Sequence, residues 1–447
     1  MSAVISSWTT SAYPTETYLK TVATDHLSEL TVSYTSAIER IATESAIGRL
    51  ISLSRVIRGV QATQTIVSAQ NVLATATADS VKAQATEAIF HASVNLDDLN
   101  FEENLYDTFL NRPANIIYLS LFALLFLYYT FMNIKSRYIW FNVTFWCGYA
   151  LEFSGFLGRI LSFTDWTNIN FFLLQFVSLT IAPAFIMAGV YFTFAQLVVV
   201  YGRHYSVLKP MWYTYLFITF DVVSLVIQAI GGGMASQAQA QQKSGKAGTN
   251  VMIAGIAFQV LSMTVFLSLW FEFLNRVFFH DVNRIDSSNS LNKRSFGNFF
   301  KFLFNGKNAD SYKRNTLEPH YNPKFNSIRA RKLLNFYPLA ITAASIAIYI
   351  RCVYRVVELA QGWSGYLITH EVFLMTLDAL MISIAGLIFV PFHPYFVFGP
   401  KNILNVSTIR NRLDHHHSEE EKINDRVEVE TQSHHDSDTQ LESQTEK

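Results

Sequence analysis

Charged side chains occur inside long apolar stretches of this 447-residue chain. A charge at the centre of a membrane helix costs about 2.5–3.5 kcal/mol on the insertion scale, so such residues are candidates for function. They are expected to face a bundle interior or water, where they pair with one another or hold a ligand or a proton. The residues are Glu152, Arg159, Asp221, Arg351, Arg355, Glu358, Glu371 and Asp378.

The spacing of these residues is helical. Positions seven apart lie two turns apart, on one face of an α-helix. Three pairs have that spacing, namely Glu152 with Arg159, Asp221 with Gln228, and Glu371 with Asp378. Arg351, Arg355 and Glu358 follow at i, i+4 and i+7, which places all three on one stripe of another helix.

Two interpretations of these charges stay open. In the first, they stabilise a helix bundle as ion pairs. The pairs would be Glu152 with Arg159 and Arg351 with Glu358. In the second, they bind a ligand or carry a proton. Asp221 and Asp378 fit this second interpretation better, because no basic residue lies near either of them in the sequence.

Uncharged residues add to the candidate site. Gln175 and Gln228 lie within apolar runs and could bind hydroxyl groups. Pro183, in the sequence TIAPAF, removes a helical hydrogen bond and predicts a kink, as in the broken helices that form transporter sites. His370 lies at the boundary of the last apolar run, where an imidazole could titrate near neutral pH and take part in coupling.

The elements that must position these residues are predicted to be membrane-spanning helices. A span needs about 20 mostly apolar residues, because the hydrocarbon core is ~30 Å thick. Continuous rather than alternating apolar runs indicate helices, not barrel strands. Such runs occur at about 115–133, 139–161, 169–198, 211–233, 250–275, 334–357 and 371–391. We predict an all-α membrane protein with seven transmembrane helices, the fourth ended or loosened by the glycines at 231–233.

The loops between these runs predict an orientation. Lys and Arg concentrate in cytoplasmic loops of membrane proteins. Loops 134–138, 199–210 and 276–333 together contain sixteen Lys and Arg, whereas loops 162–168, 234–249 and 359–370 contain two. We therefore expect an extracellular amino terminus and a cytoplasmic carboxyl terminus. The basic loop 276–333 either contacts anionic lipid head groups or only follows the topology rule.

Composition divides the chain into three parts. Residues 1–110 are rich in Ser, Thr and Ala, and we expect a partly helical extracellular region with an amphipathic helix between Ala37 and Val60. Residues 111–400 contain the seven-helix membrane domain. Residues 401–447 are charged and low in apolar residues, which predicts a disordered cytoplasmic tail.

Several functional classes are not expected. The formal net charge is zero, so the chain lacks the basic balance typical of nucleic-acid binding. It has no GxxxxGK[ST] nucleotide loop, no His/Cys cluster at metal-ligand spacing and no GxSxG nucleophile motif. We expect no enzyme activity, no cofactor and no bound metal, and any dependence on ATP should be indirect.

The apolar runs also carry a family resemblance. The segments are LEFSGFLGR, TIAPAFIMAGVYFTFAQLVVVYG, FDVVSLVIQAIGGGMA, IAGIAFQV, RCVYRVVELAQGWSGYLITHE, LDALMISIA and FHP. Taken in order from about residue 115 to 400, they resemble the fungal lipid-translocating exporter family. The resemblance implies a seven-helix plasma-membrane protein that moves sphingoid long-chain bases or related amphiphiles to the outer leaflet. Such movement contributes to lipid asymmetry and to resistance to toxic amphiphiles.

A sphingoid base carries one ammonium group, hydroxyl groups and a long alkyl chain. We expect Asp221, Asp378 and Glu152 to bind the ammonium, and Gln228 and Gln175 to bind hydroxyls. Arginines such as Arg159 would instead suit a phosphate-bearing lipid. The residues left for coupling or for structural ion pairs are Arg351, Arg355, Glu358, His370 and Glu371.

A seven-helix receptor or sensor is the alternative. The expected topology suits a receptor, and the basic loop could contact a signalling partner. The extracellular loops contain no cysteine, however, and no DRY-like or NPxxY-like sequence lies at the expected helix ends. A receptor would bind ligand without moving lipid.

Overall fold

The computed structural model describes residues 27–44, 47–102, 104–106, 110–240, 245–279, 294–362 and 365–400. Within these ranges the chain is helical and has no β-strand. The main helices are α1 (Leu27–Ile41), α2 (Ile47–Thr75), α3 (Asp79–Glu102), α4 (Arg112–Lys135), α5 (Ile139–Leu161), α6 (Ile169–Tyr201), α7 (Pro210–Ala240), α8 (Lys246–Phe279), α9 (Phe296–Leu303), α10 (Lys332–Ala360) and α11 (Glu371–Val397). The predicted tail 401–447 and part of the basic loop lie outside the described residues.

Helices α4 to α8, α10 and α11 form a closed bundle. Each packs against the next, and α11 packs back against α4, while α6 also contacts α10. Neighbouring helices run in opposite directions: Gly148 of α5 faces Ile186 of α6, and Gly158 faces Phe171. The first and last helices run in the same direction, with Tyr118 bonded to Met375 and Tyr128 to Val390. A ring of seven alternating helices requires this parallel pair.

Six helices of the described chain are long and apolar enough to cross a membrane, namely α4, α6, α7, α8, α10 and α11. Helix α5 has 23 residues, enough to cross at 1.5 Å per residue, but it is not among the six. Its sequence includes Asn142, Glu152 and Arg159, all of which are buried against other helices. The multi-pass helical architecture is confirmed. The seventh span stays a prediction, and its support is the position of α5 between α4 and α6 in the ring.

The two ends of the bundle differ in composition. We use "charged end" for the end where α5 and α10 finish and α11 begins, near Arg159, Glu358 and Glu371. We use "collar end" for the opposite end, where residues 294–331 lie. Large aromatic side chains pack in the collar half, with Phe141 and Phe145 ring centroids 4.2 Å apart and Phe194 and Trp270 5.1 Å apart.

Glycine allows close approach of helices at several crossings. A Cβ on Gly231 would overlap the backbone of Met252 in α8, and a Cβ on Gly248 would overlap the backbone of Ala235 in α7. The expectation that the glycines at 231–233 end or loosen their helix was wrong, since α7 continues to Ala240. Close contact with α8 offsets the conformational freedom that glycine adds to a helix.

The collar (residues 294–331) donates hydrogen bonds to carbonyl groups at the carboxyl ends of bundle helices. The last carbonyl groups of a helix lack partners within the helix. Arg329 donates to Val200 O of α6 at 2.8 Å, and the Asn322 amide donates to Tyr201 O at 3.2 Å. The Tyr321 hydroxyl donates to Val277 O of α8 at 2.9 Å. The described part of the collar therefore caps the carboxyl ends of α6 and α8.

The described residues before the bundle contain three helices, α1 to α3. The helix expected between Ala37 and Val60 is interrupted, because α1 ends at Ile41 and α2 begins at Ile47. Helices α2 and α3 pack through small and branched residues, including Ile66 and Ile89.

Candidate functional site

The rim cluster (Asn115, Arg159 and Glu371) joins α4, α5 and α11 at the charged end. Arg159 Nε donates to Asn115 Oδ1 at 2.6 Å, and its Nη2 forms an ion pair with Glu371. Asn115 Nδ2 donates to Glu371 Oε1 at 2.8 Å. The structure pairs Arg159 with Glu371 and not, as the first interpretation expected, with Glu152. The reason is that Glu152 lies two turns, about 10 Å, further along α5.

The central cluster (Glu152, Arg351, Arg355, Glu358 and Asp378) lies deeper in the bundle. Arg351 and Arg355 each bind one carboxylate oxygen of Asp378. Arg355 also donates to Glu358 Oε2 at 2.9 Å, and the Tyr354 hydroxyl donates to Glu358 Oε1 at 2.8 Å. Arg351 therefore pairs with Asp378, not with Glu358.

The absence of a nearby base was the reason to expect a ligand at Asp378. That reason fails in the structure. Its two arginines are on α10, distant in sequence but adjacent in the bundle.

Arg351 has a second role, at the carbonyl that Pro183 leaves without a donor. In a regular helix, the carbonyl of Leu179 would accept from the N–H of residue 183, but proline has none. Arg351 Nη2 donates to Leu179 O instead. Helix α6 remains continuous through Pro183, so the proline exposes an acceptor that binds α10. The kink expected at Pro183 stays a prediction.

Glu152 differs from the other carboxylates of the central cluster. It is only 2% exposed, and its Oε1 has no hydrogen-bond partner among the described residues. Arg351, Arg355 and Asp378 act on it electrostatically, but no ion pair joins it to either arginine in the described chain. With every group ionised, the central cluster contains three carboxylates and two guanidinium groups, so it has one negative charge in excess.

Asp221 forms a separate acidic position in α7. It is 4% exposed, and the Tyr191 hydroxyl donates to its Oδ2 at 3.1 Å. No salt bridge to it occurs among the described residues. Gly148 and Gly155 of α5 face Ile186 and Leu179, so Glu152 is level with about residue 182 of α6. Tyr191 lies nine residues further along α6, which places Asp221 ~14 Å closer to the collar end than Glu152. Buried carboxylates without cations thus occur at two depths.

The expected hydroxyl-binding residues have different surroundings. Gln228 donates to Ser224 Oγ at 2.7 Å and to Gln259 Oε1 at 3.2 Å, so its amide is used in α7–α8 packing. Gln175 is 7% exposed, and its Oε1 lacks a hydrogen-bond partner within the described chain. Gln175 therefore retains an acceptor that a hydroxyl could use.

His370 is not part of either cluster. Its side chain is exposed at the charged end, with Nδ1 2.9 Å from Tyr366 O. The imidazole contacts the Tyr366 ring in a tilted arrangement, with ring centroids 4.0 Å apart. A role in proton coupling would require His370 to act from the surface.

Three polar partners were not anticipated from the sequence. Asn115, Tyr191 and Tyr354 each bind a carboxylate of the candidate site. Asn115 gave a usable signal, because it is the polar residue at the start of the first apolar run. The two tyrosines gave none, since membrane proteins contain many tyrosines in packing and interface positions.

Among the described residues, the site contains no cluster of His, Cys, Asp or Glu that could hold a metal ion. The chain is a multi-pass helical membrane protein whose bundle interior contains buried acidic groups. A family model for RTA1-like proteins matches residues 145–401, more than half of the chain, and the chain belongs to that family. The matched segment includes every residue of the central cluster.

The curated relatives are yeast proteins. The chain is 40% identical to the sphingoid long-chain base transporter RSB1 of Saccharomyces cerevisiae strain JAY291, over 61% of this chain and 68% of that protein. It is 25% identical to protein RTM1 over 64% of this chain and 77% of that protein. It is 27% identical to protoporphyrin uptake protein 1 over 53% of this chain and 63% of that protein. No solved structure matches the chain.

Proposed function

We propose that this protein moves sphingoid long-chain bases, or related amphiphiles with a cationic head group, from the cytoplasmic to the outer leaflet of the plasma membrane. The similarity to a sphingoid long-chain base transporter supports this class of substrate. The observation that carries the proposal is the presence of Glu152 and Asp221, two buried carboxylates without ion-pair partners in the described chain. An ammonium group would compensate such a charge.

The two carboxylates give the head group successive binding positions. Asp221 lies nearer the collar end and Glu152 nearer the charged end, ~14 Å apart by the rise along α6. A head group that passes from one to the other would cross about half of the ~30 Å hydrocarbon core. The Gln175 oxygen would accept from a substrate hydroxyl.

The remaining charged groups would hold the helices around this path. Asp378 and Glu371 already have arginine partners, so we assign them to the bundle framework rather than to the substrate. Arg159, Arg351, Arg355 and Glu358 belong to the same framework. The proposed ammonium site therefore contains Glu152 and Asp221, whereas the sequence analysis also expected Asp378 to bind the ammonium.

The proposed topology has seven spans, with α5 as the second and the collar end in the cytoplasm. The positive-inside bias of the loops supports this orientation. Helix α9 of the collar exposes Phe296, Phe300 and Phe304 along one stripe and has Lys301 beside them. Aromatic and basic residues on one short helix fit the interface of a bilayer that contains anionic lipid.

The test is lipid movement by the purified full chain in phosphatidylcholine vesicles. We expect wild-type protein to move a fluorescent sphingoid base between leaflets, and Glu152→Gln and Asp221→Asn each to slow it at least about ten-fold, equivalent to ~1.4 kcal/mol. Glu272→Gln is the matched control, because this carboxylate is 43% exposed and pairs with Arg276 on the same helix.

The same measurement distinguishes transport from the alternative function. A receptor or sensor would bind the sphingoid base without moving it between leaflets. Unchanged movement in both carboxylate variants, with normal protein content in the vesicles, would rule out the proposed binding positions while leaving transport itself intact.

A further inference from the structure

We infer that Glu152 exchanges a proton for the cationic head group, so that outward movement of the lipid is coupled to inward movement of a proton. This inference rests on the proposed function and adds the source of energy. It starts from the composition of the central cluster, which has one more carboxylate than it has arginines.

The excess negative charge falls on Glu152. Asp378 binds both arginines, and Glu358 binds Arg355 and the Tyr354 hydroxyl. Glu152 has no such contact in the described chain, yet it is almost fully buried. A carboxylate that is buried without a partner costs several kcal/mol, so Glu152 is stable either as the neutral acid or beside a cation.

No described group around Glu152 is free to neutralise its carboxylate, so the neutral acid and the cation-bound carboxylate are the two stable states. From α10 it faces Arg351 and Arg355, and from α11 it faces Asp378. Tyr149 lies one turn away on its own helix, and Arg159 is neutralised by Glu371. If Arg351 moved to Glu152, the Leu179 carbonyl would lose its donor, and Arg355 alone would have to serve both Asp378 and Glu358. The cluster would still contain one more carboxylate than it has arginines.

The exchange is balanced in charge and atoms. When the cationic head group reaches Glu152, the carboxyl O–H bond breaks and the proton leaves to the water on the side from which the lipid came. When the head group leaves to the other leaflet, a proton from that side restores the O–H bond. One positive charge moves outward and one inward, so the cycle is electroneutral.

The probe must not carry protons itself, and an ordinary sphingoid base can lose one from its amine. We therefore choose N,N,N-trimethylsphingosine with a fluorescent label on the alkyl chain, which keeps its charge at every pH. The full-length protein is placed in phosphatidylcholine vesicles that contain a trapped pH dye. The direction set by a pH gradient does not depend on how the protein is oriented in the vesicle.

In wild type, we expect the probe to accumulate in the leaflet that faces the more acidic compartment, up to about ten-fold for each unit of pH difference. With an acidic lumen, the pH of the lumen should rise as the probe enters. A membrane potential set with potassium and valinomycin should not change the distribution. Glu152→Gln should lose the response to pH, whereas Glu272→Gln should keep it.

The outcomes are separable. Probe movement that follows the membrane potential, with no change in lumen pH, would overturn the exchange while leaving the proposed function in place. A pH response in Glu152→Gln equal to that of wild type would overturn the assignment to Glu152. If wild type moves neither this probe nor an ordinary sphingoid base, the proposed function fails, and the exchange fails with it.

Discussion

The buried cations at the two ends of the bundle have different kinds of partner. At the charged end, Arg159, Arg351 and Arg355 bind carboxylates that belong to other helices or to the next turn. At the collar end, Arg329 binds the Val200 and Asn322 carbonyls as well as Glu318, and Lys313 donates to the Phe302 carbonyl at 2.8 Å. Each of the three arginines at the charged end has a carboxylate partner, and in the described chain only Arg351 among them also binds a backbone carbonyl. At the collar end, backbone carbonyls supply most of the contacts of Arg329, together with Glu318.

This difference separates a site whose cations mainly have titratable partners from a region whose cations mainly have backbone partners. A backbone carbonyl has no second charge state, so an arginine bound to one has a fixed partner. Carboxylates gain or lose a proton and can exchange one cation for another. The charged end also has more carboxylates than arginines in its central cluster, which leaves room for a proton or a substrate.

The largest effect should come from Arg351→Met. This change leaves the Leu179 carbonyl without a donor and removes one of the two cations at Asp378. Breaking a buried ion pair by removing one partner costs about 3–5 kcal/mol, so we expect a clear fall in the midpoint of thermal unfolding in detergent.

The matched control is Arg276→Met. Arg276 pairs with Glu272 at 2.7 Å, but their side chains are 34% and 43% exposed. An exposed pair contributes about 0–1 kcal/mol, so this variant should unfold close to wild type. Equal losses in the two arginine variants would remove the distinction between the charged end and an ordinary surface pair.

A smaller effect is expected from restoring the helical hydrogen bond at Pro183. In Pro183→Ala, the new N–H can donate to Leu179 O, so that carbonyl no longer depends on Arg351. We expect Arg351→Met to cost about 1–2 kcal/mol less in the Pro183→Ala background than in wild type. The measurement is a thermal-unfolding cycle with the two single variants and the double variant.

Pro338→Ala is the control for this cycle. Pro338 is also buried inside a helix, but it lies more than three turns from Arg351 on α10. Its effect should add to that of Arg351→Met without coupling. Additive costs for Pro183→Ala as well would show that the contact of Arg351 with Leu179 O adds nothing to stability and that Arg351 acts through Asp378 on α11.

Much of this architecture could be predicted from the sequence, because apolar length determines which segments can cross a bilayer. All seven predicted runs are helices of the bundle, six of them apolar enough to span. The stripe of Arg351, Arg355 and Glu358 also follows from helical spacing, and the structure places all three in one cluster.

Partners across helices could not be predicted, since they depend on which helices are adjacent and at what depth. Arg159 binds Glu371, 212 residues away, rather than Glu152 on its own helix. Spacing within a helix also misled at Glu371 and Asp378. A π-helical turn over Leu374–Ala379 widens the helix between them, so one carboxylate faces α4 and α5 while the other faces α10.

The last effect that we predict is on the pH dependence of stability, and it comes from Lys313 in the collar. Its partners are the Phe302 carbonyl and, at 3.1 Å, Asn305 Oδ1, and neither can compensate its charge fully. Burial lowers the pKa of Lys313 to about 8, despite the opposing effect of Asp310. In the unfolded chain the pKa of a lysine is about 10.4.

Between these two pKa values the unfolded chain binds more protons than the folded protein, so the contribution of Lys313 to the free energy of unfolding rises with pH. We expect the free energy of unfolding of wild type to gain about 2 kcal/mol between pH 8 and pH 10 relative to Lys313→Met, which has no proton to lose. Thermal unfolding of both proteins across this range measures the difference. Parallel pH profiles would mean that Lys313 is solvated in the folded protein, and the contrast would then rest on Arg329 and its two carbonyl partners alone.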